Sequence, residues 1–466
     1  MGALDWMIVG AYFAALLWFG WKERGGLSGG AVKVILGGRA LTLPAFVATL
    51  VTTWYGGILG VGEYSYNFGI SNWIVFGVPY YLGALVFALF LARRARTSEA
   101  ITIPARIHAR IGRRSALAAA VLVFLTTAPT AYMLMLGALA HFFFGVSVTV
   151  GAVIAGAFSL AYVFLGGFQA VVRTDKLQFV LMFGGFALLF ILLASDYGFI
   201  EFLQDNTPAS HFSWSGGASG WYIASWYVIA QGALVEPAFH QRCYAARDAA
   251  VARNGILLSI AFWLLFDFMT TACGLYARAL LPELANPTLA FPSLAQLVLP
   301  GGALGLFVVG LLAVVMSTID SYSFVAATTF SYDIVKHIRR WSHLSLRTLT
   351  LIGLALSTTV AFSFSLAFES IVTVWREFGS VLMPALLAPL LIAFANHGRL
   401  QISDRQGLAL TVLPGGLSLG WILYKYLGAT GDFPFADDPF LGEPIFPGLY
   451  LSAILVTLYW SRGARA

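Results

Sequence analysis

Residues 52–63 read TTWYGGILGVGE and residues 230–239 read AQGALVEPAF. Each lies inside an apolar run long enough to cross a bilayer, and each carries residues that a lipid-buried helix avoids unless its freed backbone groups face protein or an aqueous cavity. The first places Gly56, Gly57, Gly60 and Gly62 in one run; the second sets Gly232 and Pro237 around Glu236. Taken singly, glycines serve equally as close-packing sites and a proline as a tolerated kink. Taken together they say more, because the two stretches occupy the second and seventh apolar runs, five apart. An odd separation inverts topology. Runs two to six then form one unit and runs seven to eleven its inverted copy, each opening on a broken helix, with a midplane site at the repeat interface.

Composition supports a bilayer as the solvent. Hydrophobic residues make up 59% of the 466 and charged residues 10%, with mean hydropathy +0.83, too little polar surface to cover a soluble globule of this size. The chain reads as an all-α polytopic membrane protein. The cysteines, Cys243 and Cys273, lie in or beside apolar segments and are expected as unpaired thiols. The first apolar run, Trp6 to Trp21, has no basic residue before it, KER directly after it and no small-residue cleavage site, so it reads as a spanning helix and not as a removed signal.

Apolar runs of about 20 residues predict spans at 5–21, 44–66, 72–92, 115–143, 147–165, 174–195, 220–240, 254–280, 302–331, 345–367, 371–395, 406–426 and 446–461, thirteen in all. Of the 27 Lys and Arg residues, 24 fall on one side of this arrangement, among them Arg242, Arg247, Arg253, Lys336, Arg339, Arg340, Arg399 and Arg465. The opposite loops carry acids, including Asp196, Glu201, Asp205, Glu283, Asp432, Asp437, Asp438 and Glu443. By the positive-inside rule the N-terminus is outside and the C-terminus cytoplasmic, in a cell inner (plasma) membrane. One transmembrane domain is expected over 1–466: an extra helix and loop at 1–43, repeat one at 44–195, repeat two at 220–395, and C-terminal helices at 406–466. Only ordinary connecting loops join the spans.

Carboxylates within spans cost roughly 2.5–3.5 kcal/mol on insertion scales and mark function by default. Asp320 lies in LLAVVMSTIDSYSFVAATTF, residues 311–330, where Ser317, Asp320 and Ser321 share a face at i, i+3 and i+4, with Val314 a turn above and Thr318 at its edge. These are the hard oxygen ligands that a small alkali cation prefers, and the unwound stretch of span two can supply facing carbonyls. Asp320 can instead pair with a basic group while the hydroxyls bond back to their own helix. Asp175, flanked by Arg173 and Lys176, opens span six at the cytoplasmic edge, where a helix-start role competes with an ion-site role. Asp267 sits mid-span with no local partner, and hydrogen bonding and proton carriage both stay open. Glu63 and Glu236, with Trp54, Tyr55, Trp226, Tyr227 and Gln231 near the helix breaks, form the candidate solute cavity, with plain packing as the alternative for each aromatic. Arg376 and Glu377 adjoin each other and read as a pair.

These motifs resemble the sodium:solute symporter family, which contains bacterial proline and pantothenate symporters and the sodium/glucose transporters. The resemblance runs nearly the whole length, through ILGGRAL, TTWYGG, TIPARIHARIG, YVFLGGFQAVVRTDKLQ, HQRCYAARD, GLYARALLP and GLLAVVMSTIDSYSFVAATTFSYDI. The GGF-AV-TD-Q and MST-DS patterns are the specific ones. The family implies a leucine-transporter-type 5+5 inverted repeat with one extra N-terminal and two extra C-terminal helices, and solute uptake driven by sodium. Matching without gaps, the resemblance implies a sodium site on the carbonyls of Thr52, Tyr55 and Val314 and the hydroxyls of Ser317 and Thr318. A second site known in some members would fall on Asp175, Ser317, Asp320 and Ser321, with Asp320 standing where several members have a hydroxyl.

The expectation is a sodium-coupled symporter for a small polar organic solute, working by alternating access as a monomer in the lipid bilayer, with no nucleic acid partner. Two rivals share the fold: a proton-coupled symporter and a non-transporting substrate sensor, the latter disfavoured because no cytoplasmic signalling module is evident. An intramembrane enzyme is not expected, since HExxH, a nucleophile elbow and paired protease-like aspartates are missing from the sequence.

Overall fold

The computed structural model describes residues 1–336, 338, 341, 343–365, 371–395, 401–427, 438 and 440–463. Arg339, Arg340, Arg399, Arg465, Asp432 and Asp437 of the charge pattern lie outside the described residues. Within a bilayer only helices satisfy their backbone groups from inside a single segment, and the described residues are helical throughout, with no β-sheet and one isolated bridge between Leu41 and Ala246.

Among the described residues, ten helical runs are long and apolar enough to cross a membrane. Length and composition therefore do not reproduce the count of thirteen, for three physical reasons. Spans five and six form one helical run, Val148–Tyr197, interrupted at Gly167. Span seven is cut into Gly220–Ile229, a 3-10 turn at Ala230–Val235 and Pro237–Ala245, each too short to count. The last helix, Ile445–Gly463, has only a short apolar stretch at Ile445–Trp460.

The interruption in span two is the turn Tyr55–Gly57 between the helices Leu43–Trp54 and Ile58–Phe68. A Cβ on Gly56 would stand 2.2 Å from the Thr318 hydroxyl oxygen, so only glycine lets the turn approach the helix Ala303–Thr328. In span seven Glu236 is the N-cap of the following helix, its carboxylate accepting from the Ala238 N–H at 3.3 Å, and Pro237 occupies the first turn where no N–H is needed. Span four, read from sequence as smooth, is also broken: Thr127–Pro129 separates Arg113–Thr126 from Thr130–Phe144.

In the 18-residue apolar window of Leu43–Phe68 94% of residues are buried and in that of Ala303–Val335 89%, against 28% in that of Ala3–Lys22. Spans two and nine are thus the pair whose polar groups meet protein instead of lipid. Span one packs along the outside and contributes Asp5, a buried carboxylate that accepts from Gly302 and Gly305 N–H groups at 2.7 and 2.8 Å and caps the start of span nine. Both cysteines are free and buried.

No open loop joins spans five and six. The chain turns at Gly167, whose φ of 58° and ψ of −146° are open essentially to glycine alone, and the helix resumes at once. Asp175 therefore does not open a helix; it lies two turns past Gly167 within Val148–Tyr197 and is fully buried. Arg242, grouped by sequence with loop cations, is likewise fully buried within Pro237–Ala245. A Cβ at Gly167 would also stand 2.7 Å from Leu27, so Gly167→Ala is expected to cost about 1–3 kcal/mol, read as a lowered midpoint in a thermal-unfolding assay of the detergent-solubilised protein.

Candidate functional site

The last four carbonyls of a helix have no intrahelical partner, and in Leu43–Trp54 these include Thr52 and Thr53. Span nine meets them with hydroxyls. Ser317 donates to the Thr52 carbonyl at 3.0 Å and to its own Val314 carbonyl at 2.9 Å. Thr318 donates to the Thr53 carbonyl at 2.9 Å and reaches the Thr52 and Val314 carbonyls at 3.5 and 3.3 Å. Five neutral oxygens thus converge where every contributing residue is buried, a donor set suited to a hard monovalent cation. Tyr55 opens the adjoining turn, and its hydroxyl donates to the Trp263 carbonyl at 2.9 Å.

The remaining polar groups of span nine do not extend this strip; they fan apart. Asp320 turns to span five, accepting hydrogen bonds from Ser159 and Tyr162. Ser321 turns to spans two and seven, 2.9 Å from the Thr53 hydroxyl and 2.5 Å from Arg242 Nη2. The same nitrogen donates to Thr49 and Thr53 hydroxyls at 3.0 Å each and stands 3.9 Å from Asp175 Oδ2, which also accepts from Thr49. Asp175 and Ser321 are therefore joined through a guanidinium, and Asp320 is not at that position. The correction has a simple cause: i, i+3 and i+4 share a helical face, but a face about 100° wide can meet two different neighbours.

Beside the turn in span two lies a cavity of about 200 Å³, walled by the breaks of spans two, four and seven and by span eleven. Trp54, Tyr55 and Glu236 line it as expected from sequence, together with Tyr80, Tyr81, Tyr132, Tyr322, Trp375 and Asp267. Asp267 accepts from the Tyr81 hydroxyl. Four expected residues are placed elsewhere. Glu63 accepts from the Thr288 hydroxyl at 3.0 Å beyond the cavity; Trp226 is buried against Phe76; Gln231 bonds back to the Tyr227 carbonyl at 3.1 Å, and neither it nor Tyr227 reaches the wall. Helical position explains this, since a residue near a break lines a cavity only on the side the break opens.

A family model described as the sodium:solute symporter family matches residues 34–397. The chain belongs to the sodium:solute symporter family. Among similar curated proteins is the osmoregulated proline transporter OpuE of Bacillus subtilis (strain 168), 25% identical over 493 residues, covering 98% of this chain and 95% of that protein. Among solved structures, a substrate-bound outward-open sodium-coupled sialic acid symporter superposes with a TM-score of 0.79 at 17% identity, covering 98% of each chain. A nucleobase-cation-symport-1 transporter, Mhp1, closed around bromovinylhydantoin, superposes at a TM-score of 0.56 and 14% identity, covering 91% of this chain and 92% of its own. These neighbours have the leucine-transporter type of fold, which the chain shares.

For a sodium:solute symporter, the residues missed in the sequence were the aromatic wall of span three, Trp375, Thr53 and Arg242. Only Arg242 carried a usable signal, a cation following His240 and Gln241 three residues before the end of Pro237–Ala245. Arg376 pairs with Glu377 at 3.1 Å and lies 3.7 Å from Glu443. Removing one member of a buried ion pair strands the other. Arg242→Ala is expected to destabilise by roughly 3–5 kcal/mol, and Asp175→Asn in the same chain to recover part of that loss, as a double-mutant cycle on thermal unfolding will read.

Proposed function

We propose that this family member couples inward movement of one sodium ion to uptake of a small polar organic solute by alternating access, with thirteen crossings, the N-terminus outside and the C-terminus cytoplasmic. The observation that carries the reading is the convergence of the Ser317 and Thr318 hydroxyls on the Thr52, Thr53 and Val314 carbonyls. Sodium is cargo here, held by those oxygens with the Tyr55 carbonyl, and the solute occupies the adjoining cavity. At the Asp175 position the guanidinium of Arg242 supplies the positive charge, in place of a second sodium. Coupling requires the ion to bind the outward and inward forms with different affinity. Purified protein is expected to bind radiolabelled sodium at one site per chain, with Thr318→Ala or Ser317→Ala weakening binding by about tenfold; unchanged sodium affinity in both variants sinks the assignment.

Asp320 favours a second reading, in which a proton contributes to the driving force. Among the described residues no Lys, Arg or His nitrogen lies within 4.0 Å of its carboxyl, and its neighbours are the Ser159 and Tyr162 hydroxyls, with Tyr12 and Asp175 close by. If the carboxyl exchanges its proton during the cycle, Asp320→Asn flattens the pH dependence of transport in proteoliposomes. An unaltered pH profile limits Asp320 to bracing spans five and nine.

A further inference from the structure

We propose that the solute is a small organic ammonium with one net positive charge, held in the cavity between Glu236 and Asp267; this rests on the symporter reading above. Both carboxylates line the cavity, and among the described residues no Lys, Arg or His does. Neither has a basic nitrogen within 4.0 Å among those residues. The Arg242 guanidinium, the buried cation of span seven, makes its contacts with Asp175, Thr49, Thr53 and Ser321 and faces Glu236 only at longer range. Glu236 accepts the Ala238 N–H and Asp267 the Tyr81 hydroxyl, bonds that orient each carboxylate without cancelling its charge. Negative charge withdrawn from water is costly and is relieved by a proton or by a cation, and a cationic solute supplies the cation that the wall lacks.

The rest of the wall suits the same ligand. Trp54 and Tyr80 meet edge to face at 5.3 Å, Tyr132 and Tyr322 at 5.5 Å, and Trp375 adjoins the turn of span two. Aromatic faces attract ammonium groups most when water is excluded. An anion meets like charge on two sides. A neutral sugar compensates neither carboxylate, a monocation compensates one while the other holds its proton, and a zwitterion brings a further carboxylate to a wall with no basic side chain. A cavity of about 200 Å³ admits an ammonium of the size of choline or ethanolamine.

The test is binding of radiolabelled choline and ethanolamine to the purified full chain in sodium chloride, with unlabelled proline, glucose and pyruvate as competitors. Sodium-induced thermal stabilisation is measured in parallel. The expected result is binding of at least one of the two cations, no displacement by the three competitors at equal concentration, and a loss of about tenfold in affinity in Glu236→Gln that Glu236→Asp partly restores. Failure of both cations to bind at millimolar concentration, or displacement by proline, glucose or pyruvate, overturns the proposal. So does unchanged affinity in a Glu236→Gln variant that sodium still stabilises. The competition series on the unsubstituted protein decides the matter even where the variant does not fold. Wild-type stabilisation by sodium with no cation bound strikes the substrate class alone; absence of that stabilisation strikes the symporter reading.

Discussion

The hydroxyls of Ser317 and Thr318 hold span nine against the open end of a helix, donating to carbonyls that Leu43–Trp54 cannot satisfy itself. In a bilayer interior no water takes over that task, so the seam between spans two and nine is as much a requirement of the backbone as a feature of the site. Several placements follow from it. Gly56 must lack a Cβ for Thr318 to come close, and Gly57 must lack one because Trp375 fills the space beside it. An alkali cation at these oxygens would compete with hydroxyl protons for the same carbonyls. Ion binding and helix docking therefore act on one contact, and a change in either is felt by the other.

Around this seam the buried charges are kept apart by the geometry of one helix. Ser317 and Thr318 face span two, Asp320 faces span five, and Ser321 faces the guanidinium of Arg242. Arg242 contacts hydroxyls of spans two and nine and approaches Asp175 of span six. A planar fork of donors suits that role better than an ammonium, because it reaches several acceptors at fixed angles. A pair of this kind adds little net stability against an apolar replacement, yet once built it cannot lose one member cheaply. Its position ties four spans together on the side of the site that Asp175 occupies.

The membrane class and the two helix breaks were legible because apolar length and glycine or proline placement act locally along the chain. The family was legible in GGFQAVVRTDKLQ and MSTIDS, and through the resemblance so were Thr52, Val314, Ser317 and Thr318 of the span two and span nine seam, but not Thr53. What could not be read was direction in space. Ser317, Asp320 and Ser321 have the spacing of a single strip, but which neighbour each meets depends on packing of distant helices. Asp175 appeared to start a helix because Arg173 and Lys176 flank it; the turn at Gly167 takes no loop, so the helix starts earlier, and Arg173 is paired with Glu23 at 2.6 Å. Pro129 was the overlooked signal in span four. Tyr80, Tyr81, Tyr132 and Trp375 carried none, since aromatics in apolar helices are more often packing than wall.

The turn Tyr55–Gly57 borders both the seam and the cavity. On one side it continues from the carbonyls of Thr52 and Thr53; on the other, Trp54, Tyr55 and Gly57 line the cavity. A three-residue turn with two glycines has few side-chain contacts of its own to hold it, so its geometry depends on what occupies either side. On the proposed reading, an ion that orders the carbonyls would also set the Trp54 ring and the Gly57 backbone against Trp375. A solute pressing on that wall would act back on the same carbonyls, and linkage requires the two effects on affinity to be equal in size. Coupling between the two proposed sites would then need no relay across the protein, because they share a single turn of backbone.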